Sequence, residues 1–307
     1  MAWSQLYRGD GAVREVVLPD PPPWRTFPRP SLGKIFQPPE GLSDAVNAAL
    51  CLRRPMLITG PAGSGKSTVI ESVADELMLG PVLRWHVTSR STLTDALYRY
   101  DVLGRIHAQQ LQQSVDDIAP FLQLGPLGTA LMPAKRPRAL LIDEIDKSDL
   151  DLPSDLLEVL ERGEFEIPEL ARYEKETVSI REWESGQQQP VARGRIRCAE
   201  FPFIVMTSNG ERDFPAPFLR RCVRFTMPPP NSLVISQVVQ AHLGKHPDSD
   251  AQLNELVQHF LERAERGEHL AIDQLLNAAY LLTGQAAPTG EQHARLTEQL
   301  LRELTRA

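Results

Sequence analysis

Cysteine is scarce in this chain: Cys51, Cys198 and Cys222 are the only three among 307 residues, and no two stand at metal-ligand spacing. An odd, sparse set excludes a disulfide framework and a cysteine-held zinc, and reads as reduced thiols of a cytoplasmic protein. Long apolar runs are missing as well. No stretch approaches the roughly 18 residues that a membrane span needs, so no membrane is expected as a partner. The opening "MAWSQLYRGDGAV" lacks the charged-then-apolar layout of a signal peptide. Positive charge is not in excess, with 33 Lys and Arg against 40 Asp and Glu and a net charge of -7. That balance argues against a general nucleic-acid binder and leaves room only for local basic patches. Repeats and low-complexity tracts are absent too. The remaining composition, 42% hydrophobic and 24% charged, is that of an ordinary globular protein, long enough for one large domain and a smaller one.

Proline, by contrast, is concentrated at the start. Residues 1–40, with "PDPPPWRTFPRP", resist helix and central strand and read as an extended arm. Trp24 and Phe27 give it apolar anchors, so it lies along a surface, its own or a neighbour's, or else hangs free as a tail. From 41 to 228, short apolar runs alternate with helical patterns. The runs "MLIT", "VLRWHV", "ALLID", "FIVMTS" and "CVRFTM" suit strands buried on both faces of a parallel sheet. In "SDLLEVLERGEF", Leu156, Val159 and Leu160 share one helical face, with Pro153 and Gly163 as boundaries. The expected fold is α/β, three-layered, with a parallel five-stranded sheet. From 229 to 307 the strand signal stops, and four helical stretches predict a small all-α domain.

Three motifs carry chemistry. "GPAGSGKST" follows the strand "MLIT" and runs Gly60, Pro61, Ala62, Gly63, Ser64, Gly65, Lys66, Ser67, Thr68. It fits G-x-x-x-x-G-K-[ST] in a strand–loop–helix setting, where backbone N–H groups curl around phosphates and a helix start adds its dipole. Lys66 is expected on the β- and γ-phosphates and Ser67 on Mg²⁺. In "ALLIDEID", Asp143 ends a buried strand at the carboxyl edge of the sheet, placed to hold Mg²⁺, and Glu144 follows to polarise a water. Asp146, Asp149 and Asp151 continue the acidic run and read as a solvated face and helix-start residues. "FIVMTSNG" brings another buried strand to Thr207, Ser208 and Asn209, short polar groups in reach of phosphate and water. A plain strand and turn would carry the same residues; their order after the other two motifs favours the functional reading. The guanine-reading Asn-Lys-x-Asp sequence is absent, which favours ATP over GTP without deciding between them.

On these residues the chain resembles the AAA+ ATPases, and among them the MoxR-like group. The resemblance runs from about Ala45 to Phe225 and then loosely through the helical stretches, on "GPAGSGKST", "LLIDEIDKSDLDLPSDLLEVLERGEFEIP", "VMTSN" and "FPAPFLRRCVRF". It implies Mg²⁺-dependent ATP hydrolysis, strand order 5-1-4-3-2, a helical lid, and a homo-oligomeric ring, usually a hexamer. It also implies chaperone-like remodelling of a protein client, commonly alongside a von Willebrand factor A-type partner. Asn209 corresponds to sensor 1. Residues 101–138 resemble an insertion within the second helix, and 177–203 a hairpin before the sensor strand. In that hairpin Gly186 and Pro190 mark the turn, and Arg193, Arg195 and Arg197 alternate. They form either a gripping face for an acidic client or nucleic acid, or a solvated one. In "FPAPFLRRC", the resemblance makes Arg221, with Arg220 as second candidate, the arginine that reaches a neighbour's phosphate. One position departs: Asp273 stands where the family's sensor 2 arginine is expected, which leaves sensor 2 unassigned. That gap supports an alternative, a slow nucleotide-gated switch or scaffold in a stress or defence complex.

Overall fold

Residues 6–27, 33–111, 117–229, 231–244, 246–266, 268, 270–284 and 287–302 are described in a computed structural model of the chain. Parts of the proline-rich arm (1–5, 28–32), of the 101–138 insertion (112–116) and of the last helical stretch (303–304) lie outside them. The chain forms two units. One comprises Pro38–Gly60 and Lys66–Thr226; the other comprises Met1–Gln37, Pro61–Gly65 and Met227–Ala307.

In the α/β unit, apolar runs bounded by Gly, Pro and polar residues become the elements. They are α1 (Leu42–Leu52), β1 (Met56–Thr59), α2 (Thr68–Leu77), β2 (Leu83–His86), α3 (Leu93–Leu97), β3 (Tyr98–Tyr100), α4 (Val102–Gln110), β4 (Leu122–Leu124), α5 (Pro126–Ala130) and β5 (Ala139–Asp143). Then come α6 (Leu152–Arg162), β6 (Glu164–Glu166), α7 (Pro168–Ala171), β7 (Thr177–Arg181), β8 (Gln188–Ala192), β9 (Arg195–Arg197), β10 (Phe203–Ser208), α8 (Ala216–Leu219) and β11 (Val223–Thr226). The central sheet has the order β11-β1-β10-β5-β2 with every pairing parallel, which is the expected 5-1-4-3-2 arrangement. Register sets Thr59 beside Ser208 and His86 beside Asp143, so the carboxyl ends of four strands share one edge. Beneath that edge, Leu57, Leu140, Ile142, Ile204 and Met206 pack into one core with Leu156 and Leu160 of α6 and with Phe218. Helix α6 ends at Gly163 in the left-handed region (φ 62), as its glycine requires.

A second sheet, β3-β4-β7-β8-β9-β6, shares this core. It corrects the hairpin expected at 177–203 in two places. Pro190 is no turn residue; it lies in β8 opposite Ser179. The β8–β9 register is confined to Ala192 and Arg195, so Pro190 has a strand on one side only among the described residues, a setting that tolerates a missing N–H. The first turn falls before β8 and contains Gly186 (φ 65). Arg193 does not alternate with Arg195 and Arg197, because Arg193 (φ 49) and Gly194 (φ 71) form a second two-residue turn. Arg193 pairs instead with Glu176 at 3.1 Å. Arg195 and Arg197 stay exposed on β9, each opposite a carboxylate of β6, Glu166 and Glu164. Those cross-strand pairs make a charge-balanced face.

The helical unit contains α9 (Ser232–Leu243), α10 (Ala251–Glu265), α11 (Ile272–Leu282) and α12 (Glu291–Leu300). Two starts are capped as their residue types favour: Asn231 accepts from Val234 N–H at 2.8 Å, and Asp250 from Leu253 N–H at 3.3 Å. Ile235, Val239, Leu253, Val257, Phe260, Leu275 and Ala279 form its core. The proline-rich arm docks on this bundle. Trp24 Nε1 donates to Asn277 Oδ1 at 3.1 Å, and its ring meets His242 and Tyr280 edge-on at 5.9 and 5.8 Å. Tyr280 donates its hydroxyl to the carbonyl of Asp20 at 2.8 Å, whereas Phe27 stays exposed. No helix among the described residues is long and apolar enough to cross a membrane.

Candidate active site

Strand β1 delivers the chain to Gly60 (φ 149), and the glycine loop continues through Gly63 (φ 72) and Gly65 (φ 82). Side chains rarely adopt the last two conformations, so glycine is needed there for the loop to curl. Ser64 Oγ in the loop is buried with no hydrogen-bond partner among the described residues. Ser67 is the N-cap of α2.

Lys66 is 7% exposed, and its ammonium donates to Gly60 O and to Asn209 Oδ1, both at 2.8 Å. Burial pushes its pKa down, against the pull of Asp143, Asp146 and Glu144. Such a desolvated cation interacts strongly with an arriving anion. Asp143, at the end of β5, receives two hydroxyls on one oxygen: Ser67 Oγ at 2.8 Å and Thr207 Oγ1 at 2.6 Å. Thr207 also accepts the Glu144 N–H at 2.9 Å, which ties β10 to the turn after β5.

Glu144 sits in the left-handed region (φ 59), a conformation that costs a non-glycine residue roughly 1–3 kcal/mol and concentrates at functional sites. Its carboxylate has Lys147 Nζ at 3.0 Å and His86 Nε2 at 3.5 Å on one oxygen, and Asn209 Nδ2 at 3.5 Å on the other. The carboxylate holds the Lys147 pKa up. Asp146 departs from the solvated role expected of it. It is 5% exposed, and its Oδ2 accepts the N–H groups of Asn209 at 2.9 Å and Glu211 at 3.2 Å. Asp149 does act at a helix start, accepting from Leu152 N–H at 2.9 Å, and Asp151 is exposed.

Lys66, Ser67, Asp143, Glu144 and Asn209 are therefore brought together. Sequence reasoning passed over His86 and Lys147, set Asp146 on a solvated face, and gave Thr207 no bond of its own. The i,i+3 spacing of Glu144 and Lys147 was the one readable signal. Arg220 and Arg221 are not hydrogen-bonded to this group. Arg221 pairs with Glu161 at 2.9 Å and donates to Pro217 O at 3.2 Å, while the exposed Arg220 guanidinium has no partner among the described residues. Asp273 lies in the first turn of α11, a helix without arginine.

The donor set fits a magnesium nucleotide. The Ser67 hydroxyl and Asp143 carboxylate are hard oxygen ligands converging on one place, of the kind Mg²⁺ takes. The desolvated Lys66 ammonium offers a donor to phosphate oxygens. Residues 55–222, just over half of the chain, match the AAA domain (dynein-related subfamily). No curated protein matches the chain.

Proposed function

Since the chain belongs to the AAA domain family, in its dynein-related subfamily, whose members are P-loop ATPases, we propose that it hydrolyses ATP with Mg²⁺, as a ring of like subunits. In this reading the cycle remodels a protein client, in the manner of the MoxR-like proteins it resembles, with a von Willebrand factor A-type partner as one candidate. The observation that carries the hydrolytic part is the hydrogen-bonded group of Lys66, Ser67, Asp143, Thr207, Glu144 and Asn209 at one sheet edge.

Phosphoryl transfer asks a protein mainly for orientation and charge stabilisation. Lys66 would exchange its contact with Gly60 O for phosphate oxygens while still donating to Asn209 Oδ1, bringing a desolvated positive charge to them. Ser67 and Asp143 would hold Mg²⁺. When bound, Mg²⁺ neutralises charge on the phosphate oxygens and so eases attack. Glu144 would accept a hydrogen bond from the attacking water and take its proton, with the Asn209 amide fixing the direction. The ATP β–γ bridge bond breaks as the water oxygen bonds phosphorus, leaving ADP and phosphate.

Arg220 and Arg221 belong in this scheme on a second copy's site. Within one chain neither arginine is hydrogen-bonded to the Glu144 group, and the Arg220 guanidinium has no partner among the described residues; both support a contact made in trans. A guanidinium so delivered contributes on the order of 10³–10⁵ in rate in related systems. The slow-switch alternative has one observation in its favour: the first turn of α11 carries Asp273 and no cation. Phosphate release from ATP, with Mg²⁺ and with EDTA, tests the hydrolytic reading. Mg²⁺-dependent release that disappears in Lys66→Ala is expected; release equal in both buffers, or unchanged in Lys66→Ala, would overturn it. Fast basal turnover favours the motor, and slow turnover with tight nucleotide retention favours the switch.

A further inference from the structure

Asp146 is the most enclosed carboxylate near the site, and the mechanism above gives it no task. It stands on the single turn Ile145–Lys147 that follows Glu144. One oxygen accepts two backbone N–H groups, those of Asn209 and Glu211, at 2.9 and 3.2 Å. The other oxygen is buried with no partner among the described residues. A carboxylate offers about four acceptor sites, so a buried one using so few is an exception of the kind that needs a reason beyond packing.

The residue it grips supplies that reason. Asn209 is held by its backbone at Asp146 and by its side chain between opposite charges. Its Oδ1 accepts from the Lys66 ammonium at 2.8 Å, and its Nδ2 points to the Glu144 carboxylate at 3.5 Å. An amide between a cation and an anion has only one favourable orientation, oxygen to the cation. That orientation is useful only where the backbone sets the side chain at the right height between Lys66 and Glu144. Nothing in β10 does so, because the strand ends at Ser208. Asp146 is the group that fixes Asn209 beyond the strand end.

We propose that Asp146 is a positioning residue for hydrolysis: by clamping the N–H groups of Asn209 and Glu211 it aims the Asn209 amide, and so the water that Glu144 activates. This rests on the ATPase reading of the site. The clamp requires an acceptor oxygen of the right reach and does not require charge, so Asp146→Asn, which keeps that oxygen, preserves it. Asp146→Ala removes it and lets Asn209 drift. A misplacement of about 1 Å costs on the order of 10²-fold in rate.

The test is steady-state ATP hydrolysis by the full chain, with affinity for a fluorescent ATP analogue measured in parallel and Glu144→Gln as reference. Asp146→Ala is expected to lower kcat by about 10²-fold while KM and analogue affinity stay within about threefold, with Asp146→Asn restoring kcat to within about threefold of wild type. Should Asp146→Ala fail to fold, Asp146→Ser, polar but too short to reach, replaces it under the same expectation. Wild-type kcat in the Ala or Ser variant overturns the proposal. So does an Asn variant as slow as the Ala variant, or a loss confined to KM. If the wild-type chain itself releases no phosphate from ATP, the ATPase reading has failed; if wild type is active, Glu144→Gln is inactive and Asp146→Ala is normal, only the Asp146 role has.

Discussion

Asp143 and Asp146 stand three residues apart in one acidic run, and the spacing alone does not separate their roles. Asp143 was legible because it ends four apolar residues, and a buried strand must stop where its ligand edge begins. Lys66 and Ser67 were legible because the phosphate loop fixes their place. Asp146 was not, because inward or outward direction after a tight turn depends on the left-handed Glu144, which no local pattern announces. Thr207 was named in sequence among short polar residues, but its bridge between Asp143 and the Glu144 N–H needs two strands placed side by side. The thiols offer a check at this scale. Burial pushes Cys222 up to about 12 and Cys198 upward, whereas Cys51 is exposed. Since the thiolate is the reactive form, mild alkylation of the native protein near neutral pH is expected to label Cys51 first and leave Cys222 unmodified. Intact-mass analysis reads this, and equal labelling of Cys51 and Cys222 would contradict the burial of Cys222.

Among the elements, the five central strands and the four helices of the helical unit were readable because each holds enough residues to show a period or a continuous apolar run. Of the second sheet, only the β7–β8 hairpin about Gly186 was readable. The sheet's strands β3, β4, β6 and β9 have three residues each, too few to display alternation. Arg193, Arg195 and Arg197 looked periodic, yet Arg193-Gly194 turns the chain between strands, since two positive φ values suit a hairpin's twist. Gly163 is the element-scale prediction. It closes α6 at φ 62, and a Cβ there would lie 2.9 Å from Cys198 Sγ. Gly163→Ala is expected to destabilise the α/β unit by roughly 1–2 kcal/mol. A lowered urea midpoint followed by circular dichroism would show it, and an unchanged midpoint would refute the constraint.

For the whole molecule, composition gave two domains and no more. The proline-rich arm was left between docking and hanging free, and Trp24 decides for docking: an aromatic body with one polar N–H needs both an apolar seat and an acceptor, and the helical unit supplies them in Tyr280, His242 and Asn277. Assembly is the other property of this scale. Arg221→Ala and Glu144→Gln each remove one half of the proposed composite site. Mixed together, the two inactive variants are expected to regain hydrolysis, because some interfaces then join an intact Glu144 to an intact Arg221. No recovery at any ratio, with mixed assembly confirmed, would place the arginine elsewhere. The central claim, that Glu144 activates the water in a magnesium–ATP site, is tested most directly by phosphate release from Glu144→Gln alone. Loss of turnover by on the order of 10²–10⁴-fold, with ATP still bound and retained, is the predicted result; hydrolysis at the wild-type rate would contradict it.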